Sequence, residues 1–190
     1  MGYRRGFKSD AEGIARDVRA ELGLLTLDRL DPIRLASHLA IPVIGLSQLP
    51  GIASDVRSQL QYVEPQCFSA MTVFNGTSRV VVHNDSHSSG RQASNITHEL
   101  AHGLLMHPPS PALDDRGCRN WNQNIEDEAE YLAGALLLPR DACLAWVFRS
   151  GSSIESAATA FGVSPKMAKY RLNISGAFKI AERVRKRHAP

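Results

Sequence analysis

The segment His98-Glu99-Leu100-Ala101-His102 restricts the fold of this chain more than any other part of its sequence. Residues four apart lie on one face of an α-helix, one turn above the other, so both imidazoles can reach a single point. Apolar side chains surround the two histidines, namely Ile96, Leu100 and Leu104. They predict a helix over residues 92–106 that is buried on most sides and ends before Pro108, Pro109 and Pro111. Polar groups in such a helix need partners, because burying them unpaired is costly.

A zinc ion is the partner that this pattern favours. Imidazole nitrogens bind zinc at about 2.0–2.1 Å, and the pattern HExxH on a helix is typical of zinc peptidases. Glu99 is rotated by about 100° from His98 around the helix, so its carboxylate would lie beside the metal rather than on it. There it can accept a proton from a zinc-bound water and pass it to the leaving amine. We therefore predict a zinc endopeptidase with His98 and His102 as ligands and Glu99 as the general base. The alternative is a helix with two ordinary surface histidines.

The third protein ligand must come from another part of the chain. The longer pattern that supplies it in some zinc peptidases fails here, because Leu105 and Pro108 occupy its glycine and histidine positions. His107 falls at the helix end and at the wrong angle, where we expect a C-terminal histidine that interacts favourably with the helix dipole. In a second predicted helix, over residues 122–138, Glu126 shares a face with small side chains that would permit close packing. We predict Glu126 as the ligand and keep Glu130, one turn further, as the alternative.

The rest of the sequence predicts an α+β fold, with a small, twisted, mainly antiparallel sheet of about three strands flanked by helices. Helices are expected over 9–24, 31–40 and 140–149 as well, and a strand over 41–46. The signal Asn75-Gly76 predicts a hairpin over 68–83. We expect residues 1–150 to form the metallopeptidase domain and residues 151–190 to form a helical extension that packs on it.

The hairpin suggests a route for the substrate. If strand 79–83 lies at a sheet edge beside the metal helix, an extended peptide could pair with Val80–Val82. His83 and His87 could then donate to a developing oxyanion, although we expect them to be ordinary loop residues. Arg91 could cap the loop or bind a substrate carboxylate.

Residues 154–172 have the pattern of a helix-turn-helix, with Gly162 at the turn and Ser164 as the cap of the second helix. Lys166, Lys169 and Arg171 on this second helix could face DNA. The net charge is only +3, which gives a weak field for phosphates. We therefore expect the helix pair to be a scaffold. The alternative function is a DNA-binding regulator that uses residues 154–172, with a structural metal or none.

The composition limits the class of protein. Of the residues, 43% are hydrophobic and 22% are charged, as in a globular chain. The three cysteines, Cys67, Cys118 and Cys143, form no CxxC pair, which favours a reducing, cytoplasmic compartment over a disulfide framework. There is no signal-peptide pattern and no apolar run near the roughly 20 residues that span a bilayer, so we expect no membrane partner.

Two segments together, GRQASNITHELAHGLLMH and IEDEAEYLAGALLLPRDA, resemble the ImmA/IrrE family of bacterial metallopeptidases. That family joins an HExxH helix to a second helix of the type E-x-x-A-N-x-F-A-x-x-L-L-M-P, and the resemblance covers roughly residues 10–175. It implies a zincin-like fold, zinc bound by His98, His102 and Glu126, and Glu99 as the catalytic residue. The family's Asn and Phe are Glu130 and Leu132 here.

The resemblance also implies a substrate class. Some members of the ImmA/IrrE family cleave a DNA-binding repressor and so switch on stress or mobile-element genes. By this resemblance, the partner of the present chain would be a protein substrate of the helix-turn-helix repressor type. A third reading, an inactive relative that serves as a partner-binding module, is disfavoured by the intact HELAH sequence.

Overall fold

The computed structural model describes residues 3–76, 78–108 and 122–187. Its helices are α1 (Phe7–Glu21), α2 (Pro32–His38), α3 (Ser54–Ser58), α4 (Ser89–Leu104), α5 (Gln123–Leu137), α6 (Arg140–Val147), α7 (Ile154–Phe161), α8 (Pro165–Ile174) and α9 (Ala177–Arg187). The strands are β1 (Val43–Gly45), β2 (Ala70–Asn75) and β3 (Ser78–His83). The predicted α+β class is confirmed. Residues 109–121, with Pro109, Pro111 and Cys118, lie outside the described residues.

The capping residues explain where several helices begin. The Asp31 side chain accepts a hydrogen bond from the backbone N–H of Ile33, and Pro32 takes the first helical position of α2. The Ser164 hydroxyl accepts from the N–H of Met167 in the same way at the start of α8. The sequence signals for these two helices are thus confirmed.

The three strands form one mixed sheet in the order β1-β3-β2. β2 and β3 form the predicted antiparallel hairpin, in which Asn75 pairs with Ser78 and Gly76 has a φ of 60°. β1 runs parallel to β3, with Val43 opposite Val81. The condition for substrate pairing with strand 79–83, a position at the sheet edge, is therefore not met. Residues 81–83 are paired on both sides, and within the described residues the outer edges of the sheet belong to β1 and β2.

Helix α4 packs along α5, and this pair forms the centre of the structure. Small side chains fill the contact, with Ala101, Ala129 and Ala133 fully or almost fully buried. Because alanines let two helix axes approach closely, polar side chains at the ends of the pair can meet. The face predicted for Glu126 in the sequence is the face that α5 presents to α4.

The C-terminal helices share their core with α4 and α5. Phe161 of α7 and Leu172 of α8 are buried in the same hydrophobic cluster as Leu100 and Leu132. The turn between α7 and α8 also lies against the start of α4, because a Cβ on Gly90 would come within 2.7 Å of the Val163 carbonyl carbon. The division of the chain at residue 150 stays a prediction. None of the described helices is both long and apolar enough to cross a membrane.

Candidate metal centre

Three potential ligand atoms from α4 and α5 converge on one point. Nε2 of His98 lies 3.1 Å from Nε2 of His102 and 3.2 Å from Oε2 of Glu126. Nε2 of His102 lies 3.8 Å from the same carboxylate oxygen. Among the described residues, this is the group of histidine, cysteine and acidic side chains that could hold a metal ion. The structure thus brings together the three residues predicted as ligands.

The spacing of these atoms fits a zinc ion. Ligands at about 2.0–2.1 Å in a tetrahedral site lie about 3.3–3.4 Å from one another. The three observed separations of 3.1, 3.2 and 3.8 Å bracket that value. Two neutral imidazoles and one carboxylate are also a donor set that catalytic zinc sites use, with the fourth position left open.

The centre is accessible and holds a negative charge. The side chains of His98, His102 and Glu126 are 27%, 22% and 25% exposed, so the point where they meet can be reached from solvent. The imidazoles of His102 and His98 hold the pKa of Glu126 well below its usual range. Glu126 is therefore an ionised carboxylate at neutral pH, which is the form that binds a cation.

A comparison with protein families agrees with this arrangement. The family model Peptidase_M78, the IrrE N-terminal-like domain, matches residues 57–173, which include α4, α5 and the convergent site. The chain belongs to this family. No curated protein matches it. The resemblance to the ImmA/IrrE metallopeptidases is thus confirmed at the level of the family, which is of the metallopeptidase type.

In this member of the IrrE-like family, Glu99 contacts the sheet. The Thr72 hydroxyl on β2 donates a 2.7 Å hydrogen bond to Oε2 of Glu99. Glu99 follows His98 on α4 but is not part of the convergent group, as its predicted role as general base requires. Thr72 could not be predicted from the sequence, because its contact with Glu99 depends on how the hairpin packs against α4.

The C-terminal end of α4 places a further histidine beside the centre. Met106 adopts a left-handed conformation with a φ of 52°, and its N–H donates to the Gly103 carbonyl. The N–H of His107 then donates to the His102 carbonyl. These two bonds form a Schellman motif, which usually has glycine at the left-handed position.

This turn directs the His107 ring back onto a ligand candidate. Nδ1 of His107 lies 2.9 Å from Nδ1 of His102, and its Nε2 lies 3.4 Å from Oε2 of Glu128. Burial, together with the neighbouring His102, lowers the pKa of His107. His107 is not in the convergent group. Besides lying at the C-terminal end of α4, it contacts His102 and Glu128, which the sequence did not indicate.

Several other candidates lie away from the convergent point. Glu130 is exposed and is not in the group, so Glu126 is the acid that the fold places there. His83 and His87 are buried, and His87 contacts the Pro65 carbonyl and Asn95. Arg91 donates a 3.1 Å hydrogen bond to the Ser69 hydroxyl, so it links the start of α4 to the residue before β2.

The helix-turn-helix signal at 154–172 is confirmed as α7, a left-handed Gly162 and α8. Of the three cationic side chains that could face DNA, one does not reach the surface. Lys166 and Lys169 are exposed, but Arg171 is fully buried and forms a 2.6 Å ion pair with Glu12 of α1. The burial of Arg171 thus contradicts its part in the alternative in which this helix faces DNA. A Cβ on Gly134 would come within 2.6 Å of the Arg171 side chain, so this glycine of α5 makes room for it.

Proposed function

We propose that this protein is a zinc-dependent endopeptidase that hydrolyses a peptide bond in a protein substrate, with His98, His102 and Glu126 as the zinc ligands. The observation that carries the proposal is the convergence of their three ligand atoms at a solvent-accessible point. Membership of a metallopeptidase-type family supports it. Manganese or iron could accept the same ligands, so metal identity belongs to the test.

In the proposed mechanism, neighbouring residues of α4 have different roles: His98 binds the metal and Glu99 transfers the proton. When bound, zinc supplies a Lewis acid that polarises the scissile carbonyl and lowers the pKa of water towards about 7. Within the described residues, the hydrogen bond to Glu99 comes from Thr72 and engages Oε2. Oε1 of Glu99 then accepts the proton of the attacking water and later gives it to the leaving amine. The Thr72 hydroxyl fixes the carboxylate in the orientation that this transfer needs.

An extended segment of the substrate would bind along the outer edge of β2. In the part of the chain that the structure describes, no strand pairs with this edge, and Thr72 on the same strand contacts Glu99. A peptide that pairs with β2 by backbone hydrogen bonds would therefore pass beside the metal centre. This position replaces the one expected at Val80–Val82, which β1 and β2 cover in part.

A DNA-binding transcriptional repressor is the substrate class that we propose. The proposal follows from the resemblance to family members that cleave such repressors. It places the protein in the regulation of transcription, with a stress signal as the trigger. Cleavage of a repressor requires a cytoplasmic enzyme, and the free thiols of Cys67 and Cys143 agree with that location.

Metal analysis of the purified protein is the first test. We expect about one zinc per chain in the wild type and in Glu99→Gln, which keeps all three ligands. His98→Ala and Glu126→Ala should lose the metal, whereas Glu130→Gln should keep it. If the wild type binds no zinc when zinc is supplied, or if Glu130→Gln alone loses it, the proposed site is wrong.

Sequencing of newly formed protein N-termini tests the peptidase activity. The zinc-loaded wild type and the Glu99→Gln variant are each incubated with the proteins of a cell extract. New N-termini that appear only with the wild type identify substrates, and we expect DNA-binding repressors among them. Identical sets of N-termini with the two proteins would exclude proteolysis by Glu99.

A further inference from the structure

A chain of polar contacts runs from a second acid on α5 to one of the proposed zinc ligands. Oε2 of Glu128 lies 3.4 Å from Nε2 of His107, and Nδ1 of His107 lies 2.9 Å from Nδ1 of His102. The other nitrogen of His102, Nε2, faces His98 and Glu126. The side chains of His107 and Glu128 are only 9% and 18% exposed, so water competes little for these contacts.

The donors and acceptors in this chain can be assigned from its acidic end. A carboxylate oxygen accepts hydrogen bonds, so we assign Nε2 of His107 as the donor in the contact with Glu128. In a neutral imidazole the other nitrogen is an acceptor, so Nδ1 of His107 must accept from Nδ1–H of His102. Nε2 of His102 is then left with a lone pair, which is the form that binds a metal ion. While no metal is bound, Glu126 lies 3.8 Å from the same nitrogen and favours a proton there, so Glu128 and Glu126 have opposite effects on the His102 tautomer.

Two features of the fold hold this chain in place. The Schellman motif around Met106 turns His107 back over the last turn of α4. On α5, Glu126 and Glu128 are two positions apart and reach different histidines, His98 and His107. One helix thus supplies both the proposed metal-binding carboxylate and the carboxylate at the far end of the chain.

We propose that His107 and Glu128 are positioning residues that fix the tautomer and the ring orientation of His102 for metal binding. The proposal rests on the proposed zinc site, and it adds two residues that act through His102 without touching the metal. Carboxylates and other acceptors beyond a metal-bound histidine commonly have this effect, and their loss lowers metal affinity about 10–100-fold.

The tautomer of His102 can be measured without any metal. In the metal-free wild type at mildly alkaline pH, ¹⁵N NMR of the imidazoles should show His102 protonated on Nδ1 and His107 protonated on Nε2. In Glu128→Gln the amide can donate to His107, so the chain can reverse and place the proton of His102 on Nε2. Protonation of His102 on Nε2 in the wild type would overturn the proposal.

Zinc affinity, measured by competition with a chelator, gives the second readout. Glu128→Gln should lower the affinity about tenfold or more. Glu130→Gln is the matched control, because it makes the same change of charge at an exposed position two residues further along α5. Equal losses in the two variants would attribute the effect to charge alone and overturn the proposal. If the wild type binds no zinc, the proposed function fails, whereas the tautomers still decide whether the chain of contacts exists.

Discussion

The hydroxyl of Thr72 in the edge strand β2 donates a 2.7 Å hydrogen bond to Oε2 of Glu99 in α4. It joins the strand proposed to hold the substrate to the residue proposed to transfer the proton. A hydrogen bond to a charged group contributes about 1.5–3 kcal/mol. If Thr72 orients Glu99, its loss should affect the reaction without affecting metal binding.

Replacing Thr72 by valine, which has nearly the same shape, should therefore lower the rate of proteolysis about tenfold or more. Thr72→Ser keeps the hydroxyl and should recover most of the activity. Both variants should keep the zinc content of the wild type, because Thr72 contacts no proposed ligand among the described hydrogen bonds. A serine variant as slow as the valine variant would rule out a role for the hydroxyl.

The buried ion pair between Arg171 and Glu12 should be needed for stability. The Arg171 side chain is 0% exposed, and besides Glu12 it donates to the Leu138 carbonyl at 2.9 Å. Breaking a buried pair costs about 3–5 kcal/mol, because the remaining charge has no partner. We expect a loss of this size in the free energy of unfolding for Glu12→Gln, measured by urea denaturation. The double variant Glu12→Gln/Arg171→Met should lose less than the sum of the two single variants. Additive losses would show that the two residues do not act as a pair.

The contact between Gly90 and the turn before α8 should tolerate no side chain. A Cβ on Gly90 would lie 2.7–2.9 Å from backbone atoms of Val163 and Ser164, and backbone cannot move aside easily. Gly90→Ala should therefore destabilise the protein by about 1–3 kcal/mol. Gly13→Ala is the matched control. It also lies in a helix, but nothing lies within 4 Å of its Cβ position, so it should stabilise by about 0.5–1 kcal/mol. In thermal unfolding, the midpoint temperature should fall for Gly90→Ala and rise for Gly13→Ala.

Met106 should be a site where glycine stabilises the protein. Its φ of 52° is unfavourable for a residue with a side chain, and its side chain is 87% exposed, so little packing would be lost. Met106→Gly should raise the free energy of unfolding by about 0.5–1 kcal/mol. Met106→Val, which is β-branched, should lower it. A stabilised valine variant would show that the left-handed turn is not formed in solution.

The residues of the candidate metal centre could be predicted because the periodicity of a helix determines which side chains share a face. The spacing of four places His98 and His102 together, and the small-residue face of α5 selected Glu126 over Glu130. The hairpin followed from Asn75-Gly76, and α8 from Ser164 and Pro165. All of these signals lie within a few residues of the feature they predict.

Other features could not be predicted because they depend on contacts between distant parts of the chain. Pairing with β1 makes β3 the central strand, and the partners Val43 and Val81 are far apart in sequence. Arg171 lies on a helix where a cation usually faces solvent. It is buried because it pairs with Glu12, which lies 159 positions earlier in the chain. The turn at Met106 uses a left-handed residue that is not glycine, so nothing in the local sequence indicated that His107 turns back.

The free edge of β2 has a consequence for the protein at high concentration. Exposed strand edges are usually protected by charged residues or prolines, but β2 has the sequence AMTVFN, with exposed Met71, Val73 and Phe74. An edge that is open to a substrate is equally open to β2 of a second copy. Two chains paired in this way would each block the other's metal centre. Concentrated solutions of the protein would thus favour pairs of chains, and dilution would favour single chains with an open β2 edge.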